Sequence, residues 1–223
     1  ADQQLGRLLT FLDTTKQADN TIVVVVADHG EGLGEEDEWF DHGDWLFEHD
    51  LHVPFAMRYP GHIEPNSVVK NPVELTDITP TILGYLNLEM EGTTGVSLRS
   101  AISFNEVPRL FARSMAFDRA PNRAQRKLDK SFQPTYRQAG LRIPEHRYIH
   151  REAEGYDHIL FTCGAKGEIG CDRVDGVDPN ITGLFVAEAQ TLLSADMGER
   201  RQASDGEAKM LEMLGYIDPT ESK

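Results

Sequence analysis

Lysine and arginine are missing from one long stretch of this sequence: none falls between Lys16 and Arg58, although ten aspartates and glutamates lie between Asp28 and Asp50. Over all 223 residues, 22 basic side chains face 37 acidic ones, a formal charge of −15. Phosphate-rich partners are gripped by clustered Lys and Arg, so this deficit argues against a nucleic acid or an anionic membrane as partner. Cysteine is nearly absent, with only Cys163 and Cys171. Two cysteines exclude a disulfide scaffold and leave room for one local bridge in an oxidising compartment. Long apolar runs are also lacking: the longest, residues 22–27, is far short of the roughly 20 residues that cross a bilayer, and no signal-like segment precedes it.

What is present is globular. Apolar residues make up 39% of the chain and charged ones 26%, a balance that can bury a core in one or two domains. The chain begins at Ala1 and runs at once into Leu5, Leu8, Leu9 and Leu12, spaced as one face of a helix over residues 3–14. A start inside an element is expected of a processed, trimmed or partial polypeptide. Residues 21–27 form a continuous β-branched run, the pattern of a central parallel strand buried on both faces. Residues 53–58 read as a second strand, closed by the turn signal Tyr59-Pro60-Gly61. Asp77 is placed as a helix N-cap, with Pro80 in the first turn and Ile78, Ile82 and Leu86 on one face.

Beyond about residue 100 the texture changes, and the chain divides there into segments 1–100 and 101–223. Residues 147–149 and 158–161 are expected to pair as an antiparallel ribbon, residues 164–179 to form turns, and Met210, Leu211, Met213 and Leu214 to lie on a final helix capped by Gly215. Helix, strand, loop, strand, helix defines an α/β fold, followed by a smaller α+β segment.

Chemistry concentrates in Asp28-His29-Gly30-Glu31, at the carboxyl end of the first strand, where open α/β sheets bind ligands. Successive side chains on a strand point to opposite faces, so Asp28 and His29 meet one ion only where the chain bends, and Gly30 permits the bend. A carboxylate beside an imidazole suits a divalent cation such as zinc or manganese, or calcium where oxygen donors supply the rest. An isolated Asp-His pair more often merely opens a polar loop. A second cluster shifts that balance: His42, beside Asp41 and Gly43, is a candidate donor to an oxyanion. His49, His52 and His62 read as ordinary loop or strand residues.

Asp28-His29-Gly30-Glu31 after a valine-rich strand resembles the sulfatase family of the alkaline-phosphatase-like superfamily. So do His42-Gly43, Phe47-Glu48 with Val53-Pro54, Tyr59-Pro60-Gly61, the run from Val73 through Asp77 and Pro80 to Leu83, Gly95 to Leu98, and Leu214 to Ile217. The resemblance is concentrated in residues 1–100. It implies an alkaline-phosphatase-like sandwich with a mostly parallel central sheet, of which this chain holds the C-terminal half. It implies Asp28 and His29 as ligands of a divalent metal, with calcium the family's expectation and manganese or zinc allowed by the Asp-His pair. It implies His42 at the sulfate or phosphate, and a small-molecule or glycan sulfate ester as substrate. Glu31 is a candidate for orienting a ligand or water, against the simpler reading of a solvated loop residue. Family members are commonly periplasmic, secreted or lysosomal.

One expected component is missing. The family's nucleophile sits in a Cys-or-Ser-x-Pro-x-Arg motif, and none of the 11 prolines has Cys, Ser or Thr two places before it. Zinc takes about four ligands and calcium about six to eight, so two donors here leave the rest to the N-terminal half of the same protein. The Asp-His form is shared with phosphonate monoester hydrolases and phosphoethanolamine transferases. A phosphoryl hydrolase or transferase is therefore the alternative, and a non-catalytic metal-binding or interaction module a second one.

Overall fold

In the computed structural model, residues 1–35, 39–40, 42–43, 45–104, 106–109, 111–117, 137–153, 156–163, 171–174 and 179–194 are described. Residues 1–193 form one unit, and the second, 194–223, lies outside the described residues except for Ser194. The final helix expected around residues 210–214 falls there.

The leucine spacing at the start yields α1 (Asp2–Thr14), with Leu12 buried and Leu8 and Phe11 exposed. The valine run yields β1 (Val23–Val26). Its described neighbour is β2 (Phe55–Arg58), antiparallel, with Val23 opposite Arg58 and Val26 opposite Phe55. The mostly parallel sheet expected around β1 is not among the described pairings, all of which are antiparallel. A continuous apolar run signals burial on two faces and carries no information about strand direction.

Asp77 does more than precede a helix. A short 3-10 turn (Leu75–Asp77) leads into α3 (Ile78–Tyr85), α2 (Glu48–Leu51) having come earlier in the chain. The Asp77 carboxylate makes no forward cap. It turns back to accept the Glu74 N–H at 2.9 Å, accepts the Val96 N–H at 2.9 Å, and pairs with Arg109. Fully buried, it ties together three segments that are distant in sequence. α4 (Arg99–Phe104) follows.

The remainder is a five-stranded antiparallel meander: β3 (Ala112–Phe117), β4 (Arg137–Ile143), β5 (His146–Ala153), β6 (Tyr156–Cys163) and β7 (Cys171–Arg173). The expected ribbon is the β5–β6 pair, with Tyr148 opposite Leu160 and Ile149 opposite Ile159. Turns alone were expected over residues 164–179, but β7 lies inside that segment, with Cys171 opposite Cys163. Turn-forming Gly and Asp surround Cys171, and strand pairing overrides so short a local signal. Cys163 is disulfide-bonded.

Alternation along the strands gives the sheet two apolar faces. One packs against α5 (Pro179–Ser194) through Ala139, Leu141, Tyr148, Leu160, Phe185, Ala189 and Leu193. The Tyr148 and Phe185 rings stack there with centroids 5.3 Å apart. Ile149, Ile159, Phe161 and Ala116 face the other way and bury Leu46 and Phe47. This second face, which draws on residues from both sides of residue 100, carries the site segment.

Candidate active site

The chain leaves β1 at Ala27, whose N–H is held by the Pro54 carbonyl at 3.3 Å, and bends at once. Gly30 is required at the bend for contact rather than for its torsion: a Cβ there would lie 1.8 Å from the His49 carbonyl oxygen. The Gly30 N–H instead donates to the Asp50 carbonyl at 2.8 Å. Asp28 and His29 come round to one side. The Asp28 Oδ2 and His29 Nε2 atoms are 3.8 Å apart, and the Asp28 Oδ1 accepts the His29 N–H at 3.1 Å.

The tautomer of His29 follows from its neighbour. Its Nδ1 lies 2.8 Å from the Gly30 carbonyl oxygen, which can only accept, so Nδ1 carries the hydrogen and Nε2 presents its lone pair. An Nδ1–H held by a backbone carbonyl is the usual support of a metal-ligating imidazole. Two metal–ligand bonds of about 2.0–2.6 Å easily span the separation of the two atoms. Asp28 and His29 therefore fit as two donors to one divalent cation. Among the described residues no third His, Cys, Asp or Glu completes such a group.

His42, thirteen residues beyond His29, returns to it. The two imidazoles stack with centroids 3.9 Å apart and an interplanar angle of 19°. His42 Nδ1 donates to the Glu31 Oε1 at 3.2 Å, which orients the ring. The described side-chain partner of Glu31 is thus His42. All four residues are partly exposed to solvent, which places the cluster at an open surface.

The connecting loop is held by short contacts. Phe40, at φ +52°, donates its N–H to the Gly32 carbonyl at 2.7 Å, and Leu33 bridges to Trp39. Gly43, at φ +83°, adopts a backbone conformation that favours glycine and donates to the Asp50 Oδ2 at 2.9 Å. His49, His52 and His62 have other described partners: His49 Nε2 lies 3.7 Å from the Asp50 Oδ1, His52 contacts Glu48 at 3.1 Å, and His62 stacks on Tyr59 at 4.1 Å.

Sequence reasoning missed the support beneath. On β5, Arg147, Ile149 and Arg151 alternate onto one face, and residues 45–48 lie across them. Arg151 sits 4.5 Å over the Trp45 ring, Ile149 packs on Leu46, and Arg147 donates to the Leu46 carbonyl at 3.2 Å and to the Glu48 Oε2 at 2.6 Å. Burial pushes the Arg147 guanidinium down to about 10, against the pull of the Glu48 carboxylate. Gly140 on β4 leaves room for Leu46, whose Cδ1 lies 3.1 Å from where a Cβ would stand. The period-2 placement of Arg147 and Arg151 was the available signal, but nothing local says what a strand face will meet.

The chain has a mixed α/β fold that resembles solved sulfatase structures, with the Asp28, His29 and His42 cluster after β1. Residues 1–88 match the Sulfatase family model. The ulvan-active sulfatase of Formosa agariphila is 32% identical over 122 residues, covering 54% of this chain and 24% of that protein. Two solved structures share the fold. One, an enzyme in complex with its substrate D-glucosamine-2-N,6-O-disulfate, has a TM-score of 0.60 at 22% identity and is matched over 100% of this chain and 40% of its own. The other, the phosphonate monoester hydrolase of Agrobacterium radiobacter, has a TM-score of 0.61 at 24% identity over 86% of this chain and 38% of its own. The chain thus spans about a quarter of that curated relative's length and about two-fifths of each related structure.

Proposed function

We propose that this chain is the C-terminal part of a metal-dependent sulfuric ester hydrolase, with Asp28 and His29 as metal ligands and His42 as the group that meets the ester's oxyanion. The observation that carries the reading is the stacking of His29 and His42, which sets a candidate metal ligand beside a candidate oxyanion donor. A bound divalent cation would supply Lewis-acid polarisation of the ester oxygen and charge for a deprotonated nucleophile. His29 offers Nε2 because Gly30 fixes its tautomer, and Asp28 offers Oδ2. His42, held by Glu31 at one nitrogen, would in its protonated form donate from the other toward non-bridging oxygens, an interaction that strengthens as charge builds in the transition state. The nucleophile and the remaining ligands come from residues outside this sequence. The proposed substrate is a small-molecule or glycan sulfate ester. The proposed setting is periplasmic, secreted or lysosomal, supported by the disulfide at Cys163, since such bonds persist in oxidising compartments. Calcium, manganese and zinc each match part of the donor set. Among the described residues no helix is long and apolar enough to cross a membrane.

Phosphoryl transfer is the second reading, favoured by the likeness to a phosphonate monoester hydrolase, because sulfate and phosphate esters present the same tetrahedral oxygens. Assays of the 223-residue chain with aryl sulfate and aryl phosphate esters should give no turnover of either. Metal-dependent hydrolysis by this chain alone would overturn the placement of the nucleophile outside it. Calorimetric titration with Zn²⁺, Mn²⁺ and Ca²⁺ should show weak binding that Asp28→Ala abolishes; equal affinity in the variant would remove Asp28 from the ligand set.

A further inference from the structure

We infer that Asp50 is the positioning residue of this site: one buried residue holds both the bend that carries His29 and the bend that carries His42. The inference rests on the reading above, in which those two histidines form one site. Asp50 is only 3% exposed, on the short α2. Its main-chain carbonyl accepts the Gly30 N–H at 2.8 Å, next to His29. Its Oδ2 accepts the Gly43 N–H at 2.9 Å, next to His42. Each histidine is thus one residue from a glycine fastened to the same acidic residue, and the rings stack between the two fastenings.

Stability alone does not account for this carboxylate. Among the described residues its Oδ1 is buried without a hydrogen-bond partner and faces His49 Nε2 at the longer ion-pair distance of 3.7 Å. A buried, half-satisfied carboxylate is destabilising, so its presence points to the geometry it enforces. That geometry reaches the sheet, because Asp50 follows Glu48, which Arg147 holds from β5.

The two fastenings separate experimentally, since one uses the main chain and the other the side chain. In the full 223-residue chain, Asp50→Ala removes the Gly43 acceptor and keeps the Gly30 bond. Amide hydrogen exchange by NMR should then quicken roughly tenfold or more at Gly43, the scale of a lost charge-assisted hydrogen bond, while Gly30 stays at its parent rate. The nuclear Overhauser contact between the His29 and His42 rings should disappear. Asp50→Asn, which keeps an acceptor oxygen, should restore both. The inference is overturned if Asp50→Ala leaves the ring contact and the Gly43 exchange unchanged, or if Asp50→Asn behaves as Ala does. If Asp50→Ala does not fold, the parent and Asp50→Asn decide: a protected Gly43 amide in both supports the role, and an unprotected one in the parent overturns it. Zn²⁺ titration of the parent runs alongside; absence of binding would count against the metal reading while the ring contact still judges Asp50.

Discussion

The ion pair between Arg147 and Glu48 makes an asymmetric prediction. The two side chains meet at 2.6 Å, but Arg147 is 6% exposed and Glu48 19%. Glu48 also has a second contact, His52 at 3.1 Å. Breaking a buried pair costs about 3–5 kcal/mol, because it strands a charge away from water. Glu48→Leu strands the deeper charge, the one whose pKa burial already depresses, and should cost about 3–4 kcal/mol. Arg147→Met strands a carboxylate that still touches solvent and His52; with the lost hydrogen bond to Leu46 it should cost about 2 kcal/mol. The double variant strands neither charge and should cost about 3 kcal/mol, less than the sum by roughly 2–3 kcal/mol of coupling. Guanidinium unfolding followed by circular dichroism measures all four proteins, and the Glu48→Leu midpoint on heating should fall by roughly 10 °C. Single effects that add within about 0.5 kcal/mol, or a larger loss for Arg147→Met than for Glu48→Leu, would refute the reasoning. The pH dependence has a definite sign. At neutral pH the guanidinium is charged in both states; from about 10 upward, where burial has lowered the folded group below its ordinary range, the unfolded chain binds more protons. In that window the contribution of this group to stability rises with pH.

Other outcomes follow from single contacts. Gly30→Ala drives a methyl group to within 1.8 Å of the His49 carbonyl oxygen, and main chain cannot yield as a side chain would. A loss of about 3 kcal/mol is expected, together with loss of the Gly30 amide's protection in hydrogen exchange; a variant of parent stability would contradict the close approach. Reducing the disulfide at Cys163 removes a crosslink at the end of β6, where it pairs with β7, and should lower stability by about 2–3 kcal/mol, read from unfolding with and without dithiothreitol. Unchanged stability would mean that β7 is held by pairing alone. Asp77→Ala leaves Arg109 and the Val96 and Glu74 amides without their acceptor and should cost at least about 3 kcal/mol, most of which Asp77→Asn should recover; equal losses would show that charge, not hydrogen bonding, matters there.

The sequence made the local features legible. Periodic leucines and a valine run mark α1 and β1, and the short apolar runs at residues 147–149 and 158–161 mark the β5–β6 ribbon, because the cause is the local pattern itself. Asp28, His29 and His42 could be chosen as candidates because each residue type is matched to its chemistry. Strand direction at β1 was not legible, since two-sided burial looks the same for either. Asp50 was one of ten acidic residues between Asp28 and Asp50, and Arg147 one residue of a short strand run. Their roles depend on partners up to a hundred residues away, and neither periodicity nor turn chemistry encodes such pairs. Asp77 was placed correctly beside a helix but for too small a reason: its partners Val96 and Arg109 lie 19 and 32 residues on.

The direction of support in this molecule bears on how the site functions. β1 delivers Asp28 and His29, yet it is a four-residue strand with one described neighbour, and its side chains are only partly buried. The stiff body is the five-stranded sheet, which has an apolar cluster on each face. Residues 45–52 connect the two: Trp45, Leu46 and Glu48 are held by β5, and Asp50 holds Gly30 and Gly43. A pair of donors on a loose strand end would lose binding energy each time it was ordered around a cation. Anchoring the bend to the meander supplies that order in advance, and preorganisation is what an electrostatic site needs when charge builds in the transition state. The described part of the segment beyond residue 100 thus supports the segment on which the histidines stand, and in the proposed enzyme that support is its contribution to the site.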